Sequence, residues 1–355
     1  MTALPPMPTV SVLMPVRNEE AFIERSLGSV LAQSIDSAAV EVLVLDGQSD
    51  DATRALVAST ARDHGFEMVD RGDGRSFVPR SVAIIDNPER IVPTGFNRGL
   101  AAAGGDVIVR VDGHCELEPD YIERVIAALA ETGAGCVGGV IESVALTDEA
   151  AALAVAVSSR IGVGNVAFRV GQAEPGPVDS VPFGAWPREV FDDVGGFDEE
   201  LVRNQDDEHA FRVMQSGRIV WFDPGIRSTY FSRATLARLG RQYYQYGLYK
   251  VRVGQKRGGF TSIRHLVPAS FVAAAVGSLV LGLLRRDLRA PALVLGPYVA
   301  VVGAEALRLG RERGADPVLV ARAIVTVHAS YGGGFLAGLW RFRRHHREFW
   351  SARRR

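Results

Sequence analysis

Cysteine is scarce in this chain. Cys115 and Cys136 are the only two in 355 residues, too few for a disulfide framework, and no Cys/His spacing of a zinc site is present. A reducing compartment suits such a chain. A secretory leader is also missing: "VSVLMPV" has no basic stretch before it and is soon ended by "RNEE", so secretion is not expected. Net charge is nearly absent at −1, and no nucleic-acid partner is expected. That sum hides an asymmetry, because acids dominate positions 18 to 208 whereas residues 341–355, "RFRRHHREFWSARRR", are almost entirely basic or aromatic. The two parts face different environments. With 47% hydrophobic residues the chain is not disordered and can bury one full core with residues left for a second region.

From residue 9 to about 141, short apolar runs alternate with helical patterns: "TVSVLMPV" then "EEAFIERSLGSVLAQ", "VEVLVLD" then "DDATRALVASTARDHG", "SVAIIDNP" then "PTGFNRGLAAAGG", "DVIVRVD" then "PDYIERVIAALAETG". This rhythm predicts an α/β fold of parallel strands joined by crossover helices. In such sheets ligands gather beyond the carboxyl ends of the strands, which directs attention to Asn18, Glu19, Asp46, Asn97 and Asp112. The Gly- and Pro-rich stretch "GNVAFRVGQAEPGPVDSVPFGAWP" reads as a lid or acceptor wall. The helix of "NQDDEHAFR" opens beside a cluster of acids, where the helix dipole favours negative charge.

Beyond residue 230 the character changes. "TLARLGRQYYQYGLYKVRVGQKRGG" mixes aromatic and basic residues at helical spacing, as in a helix lying at a membrane surface. "VPASFVAAAVGSLVLGLL" and "APALVLGPYVAVVGAEAL" are near the lower length for membrane spans and read as a helical hairpin. "VLVARAIVTVHASYGGGFLAGLW" is long enough to cross but carries Arg322, His328 and three consecutive glycines, which leaves a third span, a re-entrant segment or an interfacial helix open. Two spans and one non-spanning segment keep the basic tail on the cytoplasmic side. The expected division is 1–230, a catalytic domain; 231–265, an interfacial helix region; 266–340, membrane helices; and 341–355, a basic tail.

Asp112 ends the strand "DVIVRVD", Gly113 permits a tight turn, and His114 returns a second ligand type to the same side. One hard oxygen and one nitrogen could hold a divalent cation completed by diphosphate oxygens and water. A turn-forming Asp and a His bonded to a neighbouring carboxylate describe the same residues without a metal. Ser49, Asp50 and Asp51 suit helix capping, whereas Asp46 precedes the turn and could bind a ribose hydroxyl or base edge. The acids of "NQDDEHAFR" suit either a general base or a solvated helix start.

Taken together, "VSVLMPVRNEE", "VLVLDGQSDDAT", "GFNRGLAAAGGDVIVRVDGH", "FGAWPREVFDDVGGFDEE" and "NQDDEHAFR" resemble, in order and interval, the family 2 inverting glycosyltransferases with the GT-A fold. The resemblance covers roughly residues 9 to 250. "VDGHCELEPDY", "RQYYQYGLYK" and "HASYGGGF" look most like the membrane-bound subgroup associated with succinoglycan biosynthesis. It implies donor-binding roles for Pro15, Arg17, Glu19, Asp46, Asn97 and Asp112, with Glu19 and Asp46 at positions that hold uridine. Asp112 with His114 matches the metal motif, here Asp-x-His in place of Asp-x-Asp, and the implied cofactor is Mn²⁺ or Mg²⁺. Asp206 matches the catalytic base, with Gln205 replacing the usual Glu. Asp207, Gln242, Gln245 and Tyr246 are implied on the acceptor and membrane-proximal side; "QYYQY" stands where processive synthases carry Gln-x-x-Arg-Trp, which argues against processivity.

The implied activity is transfer of a sugar, with inversion, from a nucleotide-sugar, UDP-linked by expectation, to a lipid-linked saccharide in exopolysaccharide or envelope glycan synthesis. The implied location is the inner membrane, multi-pass, with the catalytic domain cytoplasmic. The alternatives are a polyprenyl-phosphate sugar synthase and a catalytically silent nucleotide-binding membrane scaffold. A nucleotidyltransferase is disfavoured because "VLMPVRNEEAF" has no glycine to build a triphosphate loop.

Overall fold

The computed structural model describes residues 4–36, 39–72, 74–164, 174–232, 235–259 and 265–345. They fall into two compact units, Met1–Glu142 with Gly171–Phe231, and Ser143–Val170 with Ser232–Arg355. Residues 143–164 thus group with the carboxyl-terminal helices, an insertion that hydropathy did not signal.

The first unit is built on β1 (Val10–Val16), β2 (Val40–Asp46), β3 (Glu67–Met68), β4 (Ser81–Asp86) and β5 (Val107–Arg110), which pair in parallel in the order β3-β4-β2-β1-β5. β2 is buried along its whole length and β1 at every residue except Pro15. That is why both read as near-continuous apolar runs: helices cover both faces of a parallel sheet. The crossovers are α1 (Ile23–Leu31), α2 (Thr53–Asp63) and α3 (Val92–Ala102). α3 lies so close to the sheet that a Cβ on Gly99 would meet Leu45 Cδ2 at 2.5 Å.

Beyond β5 the sheet becomes mixed. β9 (Ala185–Pro187) pairs antiparallel with β5 and β7 (Cys136–Ala145), and β10 (Val220–Ser232) pairs antiparallel with β6 (Cys115–Leu117) and β8 (Gly176–Pro177). For residues 185–187 this corrects the lid reading of the stretch 164–187. Ala185–Pro187 is a strand inside the sheet with Trp186 buried, and residues 165–173 of that stretch lie outside the described residues. Because β1 is flanked by β2 on one side and β5 on the other, the strand order reverses there, and the ends of β1 and β5 frame the crevice where ligands bind in sheets of this kind.

At the opposite edge sits a buried charge. Glu41 of β2 is fully buried and accepts from Ser11 Oγ (2.6 Å), Gly104 N (2.8 Å), Val78 N (2.9 Å) and the buried Arg71 guanidinium. Every lone pair that burial strips of water has a donor.

The second unit contains α5 (Asp148–Val157), α6 (Arg160–Val163), α9 (Leu236–Arg257), α10 (Val267–Arg285), α11 (Arg289–Arg313) and α12 (Pro317–Arg341). Among the described residues three helices, α10, α11 and α12, are long and apolar enough to cross a membrane, where two crossings were expected. α10 and α11 expose large apolar side chains such as Leu283, Leu284 and Leu293. α12 runs unbroken through Gly332–Gly334, and the reason is packing. A Cβ on Gly334 would lie 2.0 Å from the Tyr244 carbonyl oxygen, and one on Gly247 2.0 Å from that of Tyr331. Each helix places a glycine under the other's backbone, the small-residue contact common in membrane bundles. α9 therefore does not lie as a surface helix along its length, since from Gly247 to Gln255 every residue but Tyr249 is buried. His328 is absorbed likewise: its Nε2 bonds the Ile161 carbonyl (2.9 Å) and its Nδ1 the Tyr298 hydroxyl (3.0 Å), tying α12 to α6 and α11. Of the basic tail, residues 346–355 lie outside the described residues.

Candidate active site

The loop after β1 and the turn after β5 meet at the reversal point. Asn18 takes a left-handed conformation (φ 54°), which Asn tolerates better than most residues. Its side chain donates to Asp50 Oδ1 (2.7 Å) and accepts from Asp50 N (3.1 Å), while Glu20 Oε2 accepts from Ala52 N (3.2 Å). These bonds stitch the β1 loop to the β2 loop. Asp50 and Ser49 serve that stitching rather than helix capping.

Glu19 is thereby aimed across the crevice. Its Oε1 lies 2.8 Å from His114 Nδ1. Gly113 makes the approach possible, because a Cβ there would meet Val16 Cγ1 at 2.8 Å and Glu19 Cγ at 3.1 Å. The imidazole is held from a further side by the Tyr230 ring, edge-on at 4.7 Å. Burial opposes a charged His114, but the Glu19 hydrogen bond and the charges of Glu19 and Asp112 outweigh it and raise the pKa above its ordinary value. Asp112 is partly exposed and receives two bonds on Oδ1 from the buried Arg110, Nε at 3.1 Å and Nη2 at 2.9 Å.

Glu19, Asp112 and His114 are therefore brought together. Pro15 is half-buried in β1, and Arg17 is exposed beside Gly47, whose added Cβ would lie 3.3 Å from Arg17 Cβ. Asp46 is fully buried: Ser49 donates to its Oδ1 through N (3.1 Å) and Oγ (2.6 Å), and Arg54 Nη1 to its Oδ2 (2.9 Å). Asn97 is committed elsewhere. Its amide donates to the Phe197 carbonyl and Glu199 Oε1 (both 2.9 Å) and accepts from Phe197 N (2.8 Å), so it anchors that loop. Gln242, Gln245 and Tyr246 belong to the second unit, where Gln242 Nε2 donates to the Tyr246 hydroxyl (3.1 Å).

The acidic motif divides along helical periodicity. α8 (Gln205–Gln215) buries Gln205, Glu208, His209 and Val213 on one face. Arg212 pairs with Glu208 (2.9 Å) and donates to the carbonyls of Val194 and Gly196 at the end of α7 (Arg188–Val194). His209 is stacked on Phe191, with Trp186 and Phe197 edge-on, and its Nε2 bonds the Gly195 carbonyl (3.2 Å). These residues shape the loop. Asp206 and Asp207 stand half-buried in the first turn, off that face.

Arg110, Tyr230 and Arg54 were missed from sequence. Arg110 had a signal, because in a strand i and i+2 share a face, which sets it beside Asp112. Tyr230 arrives through long-range pairing of β10 with β6 and had none.

Residues 11–154 match the family model described as glycosyl transferase family 2. The chain contains a family 2 glycosyltransferase domain. It is 28% identical over 94% of its length to the succinoglycan biosynthesis protein ExoA of Rhizobium meliloti (strain 1021), covering 96% of that protein. It is also 24% identical over 78% of its length to a dolichyl N-acetyl-alpha-D-glucosaminyl phosphate 3-beta-D-2,3-diacetamido-2,3-dideoxy-beta-D-glucuronosyltransferase of Methanococcus voltae, covering 82% of it. Among solved structures, the mannosyltransferase PcManGT from Pyrobaculum calidifontis, in complex with GDP-Man and Mn²⁺, superposes with a TM-score of 0.62 at 18% identity, over 96% of this chain and 90% of that one. The glycosyltransferase fold expected from sequence, GT-A with apolar helices after it, is the fold observed.

Proposed function

We propose that this glycosyltransferase moves a sugar, with inversion, from a nucleoside-diphosphate donor to a lipid-linked saccharide, assisted by a divalent cation. The observation that carries the reading is the convergence of Asp112, His114 and Glu19 at the point where strand order reverses. A carboxylate on Nδ1 is the outer partner that metal-binding imidazoles commonly have, since it fixes the ring and leaves Nε2 for the ion. Among the described residues no group of three or more His, Cys, Asp or Glu is arranged to hold a metal. Asp112 and His114 would supply two ligands, and a cation held there would need diphosphate oxygens and water to complete its shell, a donor set that would suit Mg²⁺ or Mn²⁺. When bound, it neutralises charge on the departing diphosphate.

The chain's own residues do the rest. Arg110 holds Asp112 in place, Glu19 holds His114, and Asp206 removes the proton from the attacking acceptor hydroxyl. One displacement inverts the anomeric centre, and no carboxylate nucleophile is needed. The lipid-linked acceptor is supported by three helices able to cross a membrane and by the dolichyl-linked acceptor named for the Methanococcus relative.

Calorimetry of UDP binding to the detergent-solubilised chain, with and without Mn²⁺, tests the donor half. Metal-dependent binding lost in Asp112→Ala is expected; no nucleotide binding under any metal condition sinks the reading. For the base, Asp206→Asn lowers turnover by about 10²- to 10⁴-fold with donor affinity kept.

A further inference from the structure

Asp112 follows the carboxyl end of β5; at the amino end of the same strand stands Arg188, the first residue of α7. Its backbone N–H donates to the Asp106 carbonyl (2.9 Å) and its Nε to the Gly105 carbonyl (2.6 Å). The fork of the guanidinium, Nη1 and Nη2, is buried and meets no hydrogen-bond partner among the described residues. The neighbouring carboxylates are committed elsewhere. Glu41 is saturated by its four donors. Asp106 is turned to Thr9, whose N–H (2.9 Å) and hydroxyl (2.8 Å) its Oδ2 accepts, and Asp192, one turn along α7, pairs with Arg75 Nη2 (3.3 Å). Two more guanidinium groups stand close by. Arg71, whose side chain is 4% exposed, holds Glu41 yet leaves its own Nε buried and without a partner among the described residues. Arg75 is half exposed. Burial, and then the Arg75 charge, hold the Arg188 pKa below the ordinary arginine value, against the pull of Asp192, Glu41 and Asp106.

We propose that Arg188, Arg75 and Arg71 form a second binding site, for a small oxyanion that lays two oxygens along the Arg188 fork. A guanidinium buried with its fork unmatched has lost water at two nitrogens and gained nothing in exchange. Its planar set of parallel N–H donors fits the oxygens of a phosphate or a carboxylate in bidentate geometry. With three guanidinium groups gathered and their carboxylates already engaged, the local field favours an anion over water. The side that can yield to such a ligand is the loop carrying Arg71 and Arg75, because Arg75 is half exposed and a Cβ added to Gly72 or Gly74 meets nothing within 4 Å. A bound oxyanion would tie that loop to α7. The site shares no residue with the candidate active site and does not depend on the nucleotide-donor reading.

The test is thermal melting of the full-length chain in detergent and chelator, with phosphate or acetate replacing chloride at constant ionic strength. Phosphate, acetate or both are expected to raise the melting temperature by a few degrees in a saturable way, and to do so equally in Asp112→Ala, which separates the effect from the donor site. A shift with phosphate alone identifies a phosphoryl ligand, and a shift with acetate identifies a carboxylate. Arg188→Gln keeps a donor for Gly105 and removes the fork. Its shift is expected to vanish, while its melting in chloride holds or rises because an uncompensated buried charge is gone. Should that variant not fold, two exposed positions decide. Arg75→Gln is expected to raise the half-saturating anion concentration severalfold, and Asp192→Asn, which removes a competing carboxylate, to lower it. Identical melting in chloride, acetate and phosphate, a shift lost in Asp112→Ala, a shift kept in Arg188→Gln, or half-saturation indifferent to both Arg75→Gln and Asp192→Asn overturns the site.

Discussion

Glu19 Oε1 and His114 Nδ1 lie 2.8 Å apart, and this single hydrogen bond joins the loop after β1 to the turn after β5. The resemblance implied that Glu19 holds uridine, whereas the geometry makes it the group that orients the imidazole. The two roles separate experimentally. Glu19→Gln is expected to weaken Mn²⁺ binding about 10- to 100-fold, the usual cost of losing an outer-shell partner, and to leave metal-free UDP binding unchanged. Electron paramagnetic resonance of free Mn²⁺, together with calorimetry of UDP in chelator, reads both. Loss of metal-free UDP binding would return Glu19 to the nucleotide.

Much of this was legible because parallel strands buried on both faces leave an unmistakable trace. "VSVLMPV" and "VEVLVLD" could hardly be anything else, and the polar residues at their ends marked the crevice. β9 was hidden for the opposite reason. Three residues, Ala185–Pro187, among glycines and prolines carry no periodicity, and their place is fixed by pairing with β5, about eighty positions earlier. Asn97 was a strand-end polar residue of the right type whose partners, Phe197 and Glu199, come from a distant loop. In α12 the three consecutive glycines left a span, a re-entrant segment and an interfacial helix equally open, because their reason, the backbone of α9 packed against Gly334, is a contact with a segment about ninety positions earlier.

The buried Glu41 carboxylate gives a stability prediction with an unusual control. Each oxygen accepts from two donors, Oε1 from Ser11 and Gly104, Oε2 from Val78 and Arg71. Glu41→Ala strands the Arg71 charge and is expected to cost about 3–5 kcal/mol. Glu41→Gln, normally the mild replacement, should cost a similar amount, because its amide nitrogen must face two donors whichever way it flips. Thermal melting of the detergent-solubilised chain checks both. A Gln variant that melts like wild type would show that the carboxylate's second oxygen is not needed.

α12 offers a comparison between adjacent positions. Gly334→Ala drives a methyl to 2.0 Å from the Tyr244 carbonyl oxygen, whereas a Cβ on Gly333 meets nothing within 4 Å. The first is expected to separate α9 from α12 and lower the melting temperature by several degrees. Gly333→Ala is expected to be neutral or to stabilise by up to about 1 kcal/mol through helix propensity. Equal melting of the two variants would mean that the helices do not cross at Gly334.

His209 predicts a pH dependence whose sign follows from its burial. Burial first, and then the Arg212 charge, push its pKa down to about 3, against the hydrogen bond to Gly195. In the unfolded chain an imidazole titrates near 6.5, so between these values the unfolded state binds the proton and the folded state does not. Stability therefore rises with pH across this window. The contribution is complete above about pH 6.5 and is lost progressively as pH falls toward 3. Melting temperatures measured from pH 7.5 to 4.5 should decline, and His209→Phe, placed among Phe191, Trp186 and Phe197, should flatten that decline while lowering the plateau through the lost bond to Gly195. If the slope of His209→Phe matches the wild type, the acid sensitivity belongs to other groups and His209 takes up its proton without opening the loop that Arg212 and Glu208 hold.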